Sequence, residues 1–270
     1  MQKISKKEIS SALKKLNFKK NSCVVIHSSL IHIGLIEGVN LKKMPEEIFF
    51  LIKKNLGKNA TICVPSSNWD YSDKKKPFDR IISNSHKEFG ALSNYIVNKP
   101  NSFRSSNPLF NITALGKKAK YITNGGTSNA FGVDSAWDKL YNLNAEIILL
   151  GCEFSEATFT FTRYIEFRFG VPYLYNKLFN LPILNKGKKI FKTSTSTLRY
   201  LDLDLVYDLK KFKNVLKKKK ILFEGVDKKI KITRVKMKPC FDLGIECLKK
   251  DINFFLRKKP KYKKQKFPIK

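Results

Sequence analysis

The stretch AEIILLGC, from Ala145 to Cys152, decides the fold class. Glu146 to Leu150 is a short apolar run between two turn residues, Asn144 and Gly151, which is typical of a strand buried on both faces. Similar runs occur upstream; they are Cys23 to His27 (CVVIH), Ala60 to Pro65 (ATICVP) and Asn111 to Leu115. The sequence therefore predicts a sheet of largely buried strands.

Helices are predicted between these strands. The segment Ser5 to Leu16 begins with Ser5 as N-cap and has Glu8 as its capping-box partner. Pro45 to Leu56 has proline and acidic residues in its first turn, and Gly90 to Val97 gives a further helix. Strands that alternate with helices indicate an α/β fold, with a mixed central sheet flanked by helices.

The remaining segments suggest how the domain is bounded. Ser66 to Ser85 is polar and contains proline, which predicts a long loop over the sheet, and loops of this length are often functional. A last helix is predicted from Gly244 to Phe255. We expect one domain over residues 1–255, followed by a basic C-terminal extension, residues 256–270, that is disordered.

The formal net charge of the 270 residues is +32 at pH 7. A positive charge of this size attracts polyanions, so nucleic acid, an anionic membrane surface and an anionic substrate are all compatible with it. Lysine is nevertheless abundant in every segment, and solvated faces with a frayed tail explain the densest runs without a partner. No helix-turn-helix, zinc-finger or aromatic RNA-binding pattern accompanies the lysines, so we do not expect nucleic acid as a partner.

Cysteine and histidine usage argues against a metal site. The five cysteines form no C-x-x-C pair, and His27, His32 and His86 have no partners at ligand spacing. The sequence contains no run of 18 apolar residues and no signal-peptide pattern at its start. We therefore expect a cytoplasmic protein with no metal and no membrane insertion, and the oligomeric state stays open.

Five marked segments keep one order along about half of the chain. They are VVIHSSLIHIG (Val24 to Gly34), PFDRIISNSHKEFGAL (Pro77 to Leu92), RSSNPLFNITALG (Arg104 to Gly116), FGVDSAWDKLYNLNAEIILLGC (Phe131 to Cys152) and TFTRYIEFRFGVPY (Thr160 to Tyr173). Together they resemble the aminoglycoside 3-N-acetyltransferase family. The resemblance implies an acyltransferase that moves an acetyl group from acetyl-CoA to an amine of an amino sugar or aminoglycoside.

The resemblance also suggests which residues bind acetyl-CoA. His27-Ser28-Ser29 matches the family's His-Ser-Ser motif and stands at a strand end, where open α/β sheets bind ligands. Gly90-Ala91-Leu92 resembles a family turn that opens a helix, whose N-terminal amides can meet an anion. Arg104 is a candidate for the CoA phosphates, because a guanidinium can bind phosphate through two parallel hydrogen bonds. Apart from the resemblance, the two serines would be a strand end that caps the next turn.

This chain differs from the family at one of the positions that the resemblance implies to be catalytic. Where the family has H-x-x-E, this chain has Arg163-Tyr-Ile-Glu166. Arginine stays protonated, so Arg163 could bind an anion or stabilise an oxyanion but could not act as a general base. Glu166 could form an ordinary i,i+3 ion pair with Arg163 or act as a weaker base. The three histidines are the other possible bases.

Asp79, Asn107 and Asp134 are candidates for the acceptor site. Asp79 and Asp134 are acids within the matched segments, and acids can hold a cationic amine. Asn107 stands before a proline where many family members have histidine, which suggests a different substrate. A strongly positive protein would repel a polycation, so an amino sugar on an anionic nucleotide carrier is an alternative to an aminoglycoside.

Three functions are consistent with these observations. The first is an acetyl-CoA-dependent N-acetyltransferase with Arg163 and Glu166 at the catalytic positions. The second is a catalytically impaired homologue that binds CoA without transferring acetyl. The third, suggested by charge alone, is a nucleic-acid-binding protein.

Overall fold

Short apolar runs form the central strands of the protein, and amphipathic segments cover both faces of the resulting sheet. The computed structural model describes residues 2–228 and 230–262. The strands are β1 (Lys3–Ile4), β2 (Cys23–Ser28), β3 (Leu35–Ile36), β4 (Thr61–Pro65), β5 (Phe78–Asp79), β6 (Phe103–Arg104), β7 (Ile112–Gly116), β8 (Glu146–Leu150), β9 (Leu174–Phe179), β10 (Ile183–Asn185), β11 (Lys188–Phe191), β12 (Ser194–Arg199), β13 (Leu222–Asp227) and β14 (Ile230–Lys236).

The helices lie between these strands in the sequence. They are α1 (Lys6–Lys15), α2 (Leu30–Ile33), α3 (Met44–Leu56), α4 (Asp70–Asp73), α5 (Gly90–Val97), α6 (Ala119–Thr123), α7 (Ala136–Asn142), α8 (Phe161–Phe169), α9 (Lys210–Lys218) and α10 (Met237–Lys250). Short 3-10 helices occupy Leu41–Lys43, Lys87–Phe89 and Leu201–Leu203.

The main sheet has seven strands in the order β13-β14-β8-β2-β4-β7-β6. Strand β2 runs parallel to both β8 and β4, and the other neighbouring pairs are antiparallel. The predicted mixed α/β sheet flanked by helices is confirmed. Because the three parallel strands point the same way, their carboxyl ends meet at one edge of the sheet, where this class of fold binds ligands.

The two faces of the sheet bury separate hydrophobic clusters. Val24 and Ile26 of β2 point to one face, where they pack with the apolar sides of α1, α3 and α5. Val25, next to them in the strand, points to the other face, which α6, α7, α8 and α10 cover. This alternation is the period of two that a strand imposes.

Local sequence patterns predicted the bounds of several helices and strands closely, and those of the last helix poorly. Ser5 is the N-cap of α1, and its capping box with Glu8 is present. The last helix was predicted from Gly244 to Phe255, but α10 spans Met237–Lys250. The apolar stripe begins earlier, with buried Met237, and Asp251 leaves the helical conformation with a φ of −146°.

Strands β9 to β12, which lie between α8 and α9 in the sequence, cover one side of the sheet edge at which the parallel strands end. Strands β9 and β12 pair with each other, and β10 pairs with β11 and with β5 of the long segment 66–85. Tyr71, Phe78 and Ile183 form the buried core of this contact. The segment predicted to be a long loop is thus tied down by α4, β5 and a small hydrophobic cluster.

The chain remains packed beyond the boundary predicted after Phe255. Leu256 is buried and pairs with Tyr207, and the Arg257 N–H donates to the oxygen of Val206 at 2.8 Å. Burial of the apolar Leu256 explains why the contact continues. Residues 263–270 of the predicted disordered tail lie outside the described residues. Within 2–228 and 230–262, no helix combines the length and the apolar character needed to cross a bilayer.

Candidate active site

The carboxyl ends of β2 and β8 are joined by their backbones. The Ser29 N–H donates to the oxygen of Leu150 at 2.9 Å, and Gly151 follows with a φ of +68°. A Cβ atom built on Gly151 would overlap the backbone oxygen of Ser29. Glycine is therefore required here both for its conformation and for this close approach.

The two segments that resemble the acetyl-CoA cradle lie side by side at this edge. Gly90 begins α5 with a φ of +77°, and a Cβ atom on it would lie 3.5 Å from the oxygen of Ser28. His27 is 9% exposed, and its Nε2 atom has no hydrogen-bond partner among the described residues. Burial lowers the pKa of His27 to about 4, so its imidazole is neutral at pH 7.

A cavity of about 430 Å³, the Ser29 cavity, opens where β2 and β8 end. It is lined by Ser29, His32, Gly151, Cys152, Glu153, Phe154, Thr158, Lys213, Lys231 and Thr233. The Ser29 Oγ and His32 Nδ1 atoms are 2.6 Å apart. The amines of Lys213 and Lys231 lie 3.7 and 2.9 Å from Oε1 of Glu224, so the two lysines of the lining share one carboxylate.

A second cavity of about 450 Å³, the Arg163 cavity, lies on the other side of the segment 151–160. Its lining consists of Pro65, Ser67, Trp69, Glu88, Phe89, Leu109, Phe110, Asn111, Trp137, Glu156, Ala157, Thr160, Arg163, Thr197, Leu198 and Arg199. The rings of Trp69 and Phe89 are 5.8 Å apart and form an aromatic wall. An apolar wall with a few convergent charges is typical of a small-molecule site.

Arg163 projects from the first turn of α8 into a group of charged and phenolic side chains. Its guanidinium donates to Glu156, to the Tyr207 hydroxyl and, at 3.4 Å, to Glu166. The guanidinium carbon also lies 4.6 Å from the ring centre of Tyr207. Burial alone lowers the pKa of Arg163, but Glu166, Tyr207 and Glu156 together raise it above its ordinary value. Arg163 is therefore a fixed cation.

Glu166 is completely buried behind Arg163. Its carboxylate accepts hydrogen bonds from the hydroxyls of Tyr173 at 3.0 Å and Tyr207 at 3.3 Å. Burial raises the pKa of Glu166 to about 7, against the opposing effect of the Arg163 charge. A molecule in the cavity does not reach this buried carboxyl group.

A family profile described as aminoglycoside 3-N-acetyltransferase matches residues 25–249. The chain belongs to this family. The resemblance carried by the five sequence segments is thereby confirmed, and the match spans the sheet and both cavities.

Curated members of the aminoglycoside 3-N-acetyltransferase family share about a quarter of their residues with the chain. Aminoglycoside N(3)-acetyltransferase III of a Salmonella species is 24% identical over 209 residues, which cover 71% of this chain and 70% of the relative. The SPbeta prophage-derived aminoglycoside N(3')-acetyltransferase-like protein YokD of Bacillus subtilis is 26% identical over 210 residues, covering 70% and 73%.

Solved structures of aminoglycoside acetyltransferases share the fold. AAC(3)-Xa superposes with a TM-score of 0.77 at 18% identity, covering 92% of this chain and 93% of that protein. AAC-IIIb, solved as a binary complex with CoASH, gives a TM-score of 0.74 at 16% identity, covering 96% and 100%. AAC-VIa, solved with sisomicin, gives a TM-score of 0.74 at 17% identity, covering 92% and 98%.

Arg104, a candidate for the CoA phosphates, is buried and bonded within the protein. It is 3% exposed, and its guanidinium donates to Asn111 Oδ1 at 3.1 Å and to the backbone oxygens of Ser83 and Ser66. Its guanidinium carbon stacks 4.9 Å from the centre of the Phe78 ring. Burial lowers its pKa to about 9. In this arrangement Arg104 ties the segment 66–85 to β7 and offers no free face to a phosphate.

Asn107, a candidate for the acceptor site, likewise has its polar atoms in use. The amide nitrogen donates to the oxygens of Ser128 at 2.8 Å and Thr195 at 3.1 Å. The amide oxygen accepts from the N–H groups of Leu109 and Phe110. Asn107 thus joins the segment before β7 to β12 and lies outside the lining of the Arg163 cavity.

The two candidate acids also form local caps. Asp79 is 6% exposed, and its carboxylate accepts from the N–H groups of Ile81, Ile82, Lys186 and Gly187. Asp134 accepts from the Gly126 N–H at 2.6 Å and pairs with Lys139 at 3.0 Å. Neither acid lines the Arg163 cavity, and the hydrogen bonds of both acids stabilise the conformation of nearby loops.

Sequence reasoning missed several residues of the Arg163 cavity. Glu156 and Arg199 line its wall, and Tyr207 holds both Arg163 and Glu166. An acid seven positions before Arg163 was visible in the sequence, but its contact depends on the turn before α8. Tyr207 is 44 residues away from Arg163, and no local pattern could connect the two.

The described residues contain no group of three or more His, Cys, Asp or Glu side chains arranged to hold a metal ion.

Proposed function

We propose that the protein transfers the acetyl group of acetyl-CoA to an amine of an amino sugar. Family membership supports this function, and a structural relative has been solved as a binary complex with CoASH. The observation that contributes most is the pair of cavities on either side of segment 151–160, at the carboxyl ends of the parallel strands. Two adjoining cavities suit a reaction that brings two substrates together.

Acetyl-CoA is proposed to occupy the Ser29 cavity. The reacting thioester end would lie against His27, Ser28 and Ser29, with Gly90-Ala91-Leu92 as the adjoining turn. Lys213 and Lys231 are suited to the phosphates, because a strongly charged anion is favoured by nearby ammonium groups. Arg104, which was a candidate for the same role, is engaged inside the protein.

Arg163 is proposed to polarise the thioester carbonyl. Its hydrogen bonds to Glu156, Glu166 and Tyr207 use three of the five N–H hydrogens of a guanidinium. A fixed cation with unused N–H groups at a cavity wall can stabilise the oxyanion that forms during acyl transfer. Glu166 then serves as the buried counter-charge that holds the guanidinium in place.

Glu156 is proposed to accept the proton of the attacking amine. It is the carboxylate beside Arg163 that keeps exposed surface, with 24% of its side chain accessible, whereas Glu166 has none. As the amine nitrogen bonds to the carbonyl carbon, its proton passes to Glu156, the carbon–sulfur bond breaks and the thiolate is protonated from solvent. A carboxylate is a weaker base than an imidazole, so we expect slow turnover.

The acceptor is proposed to be an amino sugar with few ammonium groups and an anionic substituent, such as a nucleotide-linked amino sugar. The cavity lining contains two acids, Glu88 and Glu156, and two arginines; Glu156 is paired with Arg163 and lies 3.7 Å from Arg199, so the formal charges of the lining sum to zero. The several ammonium groups of a polycationic aminoglycoside would find too few carboxylates there, whereas Arg199 could bind an anionic group. A kinetic preference for tobramycin-like amines over nucleotide-linked amino sugars would contradict this choice.

The alternative is a homologue that binds CoA without transferring acetyl. The buried ion pairs of Arg163 favour it, because a guanidinium held by two carboxylates is a stable structural element in its own right.

A thiol-release assay with acetyl-CoA and a panel of amino sugars tests the function, run on the parent chain and on Arg163→His, with calorimetric titration of CoA in parallel. Release by the parent supports acetyl transfer. Release by Arg163→His alone, with CoA binding by both proteins, supports the impaired homologue. Failure of both proteins to bind CoA would refute both functions.

A further inference from the structure

A cavity of about 590 Å³, the Arg234 cavity, lies at the amino ends of β2 and β8. This is the edge of the sheet opposite His27, and the cavity shares no lining residue with the Ser29 cavity or the Arg163 cavity. Its cationic lining residues are Lys15, Lys19, Lys20, Lys118, Arg234 and Lys236, and its one acid among the described residues is Glu146.

Glu146 does not neutralise these lysines, because it is already matched with Arg234. Both side chains are buried, and Arg234 Nε lies 3.4 Å from Glu146 Oε1. Arg234 Nη1 is fixed by the backbone oxygens of Leu16 at 2.6 Å and Asn17 at 2.5 Å. The two buried charges form a balanced floor beneath the cavity.

None of the five lysines forms an ion pair with a carboxylate of the described residues. The amines of Lys15 and Lys20 donate to the backbone oxygens of Val226 and Asn55, whereas three further amines, those of Lys19, Lys118 and Lys236, make no hydrogen bond to the described residues. These three come from the loop after α1, the residue before α6 and the end of β14, so only folding brings them together. Like charges around one concavity repel each other, which favours an anion between them.

We propose that the Arg234 cavity binds a small, multiply charged phosphate anion up to the size of a nucleotide. Phosphate groups can accept charge-assisted hydrogen bonds from several ammonium groups at once. A concave site encloses a compact anion, whereas the phosphates of a nucleic acid follow an extended stripe across a surface. The position of the cavity makes this site independent of the acetyl-transfer site.

Isothermal titration calorimetry at fixed ionic strength tests the site with pyrophosphate, ADP, CoA and a single-stranded oligonucleotide. The test variant is Lys19→Gln/Lys118→Gln, in which both exchanged side chains are exposed. The matched control is Lys188→Gln/Lys189→Gln, which removes the same charge from the exposed strand β11. Circular dichroism checks that all three proteins are folded.

We expect one saturable site for pyrophosphate or ADP, weakened about tenfold or more by the test variant and less than about twofold by the control. No saturable binding, or equal weakening by both variants, would overturn the proposal in favour of a general charge effect. Oligonucleotide binding that is tighter than pyrophosphate binding and lost only in the test variant would identify nucleic-acid phosphate instead. Loss of CoA binding in the test variant alone would make this cavity part of the acetyl-CoA site and overturn its independence.

Discussion

Replacing Glu166 with glutamine should change how the stability of the protein depends on pH. The pKa of Glu166 is about 7 in the folded protein, against an ordinary value of 4.5. A difference of about 2.5 in pKa, at about 1.4 kcal/mol for each pKa unit, corresponds to about 3 kcal/mol. The sign follows from proton binding: between pH 4.5 and 7 the folded state holds this proton more tightly than the unfolded chain does. The stabilising effect of the proton is therefore complete below pH 4.5 and is lost as the pH rises through 7.

Glutamine resembles the protonated carboxyl group and does not titrate. The free energy of unfolding of Glu166→Gln, relative to the parent, should therefore rise by about 3 kcal/mol between pH 4.5 and pH 8. Urea denaturation of both proteins across this range measures the difference. Glu246→Gln, at an exposed position of α10, is the matched control and should show no such trend.

A relative stability that stays constant from pH 4.5 to pH 8 would refute this reasoning. It would mean that the attraction to Arg163 outweighs burial and keeps Glu166 ionised throughout. A constant offset between the two proteins would not matter, because glutamine also removes one partner of Arg163 at every pH.

Three further results are expected. Asn107→Ala should lower the free energy of unfolding by about 2 to 4 kcal/mol, because buried backbone groups lose their partners, and a melting temperature within 1 °C of the parent would contradict the observed network. Gly151→Ala should weaken CoA binding about tenfold or more, because the added Cβ atom would overlap the backbone oxygen of Ser29. Parental CoA affinity in calorimetry would show that the close contact between Gly151 and Ser29 does not matter for binding. Lys213→Gln should raise the KM for acetyl-CoA about three- to tenfold and leave the KM for the amine unchanged. The control Lys211→Gln, at an exposed position of the same helix, should change neither KM. Equal effects of the two variants would show that the overall positive charge, and not the position of Lys213, matters for binding.

Local sequence patterns predicted the parts of the fold that depend on neighbouring residues. The strand Glu146–Leu150 was predicted with the bounds that the structure gives, because turn residues enclose its apolar run. The capping box of Ser5 was predicted for the same reason, since both partners lie within one turn. The order of the strands in the sheet was not predicted, because pairing joins segments that are far apart in the sequence.

The candidate site was only partly predictable for the same reason. The cradle segments around Ser28 and Gly90 are close in space, and the resemblance had already linked them. Arg104, Asp79 and Asn107 were assigned by residue type to ligands, yet their partners are protein atoms from distant segments. A polar residue in a matched motif can equally well hold the site together, and a sequence alone does not distinguish the two cases.

The contacts of Arg163 also restrict how this protein could acquire a histidine at that position. Exchanging Arg163 alone would leave Glu156 with only the more distant Arg199 and would leave Glu166 without its cation. An unmatched charge in a partly buried setting destabilises the fold, so Arg163→His should be less stable than the parent, and adding Glu156→Gln should restore part of the loss. The energetic effects of exchanges at positions 156 and 163 are therefore coupled, and the folding of the single variant Arg163→His has to be checked before its activity is interpreted.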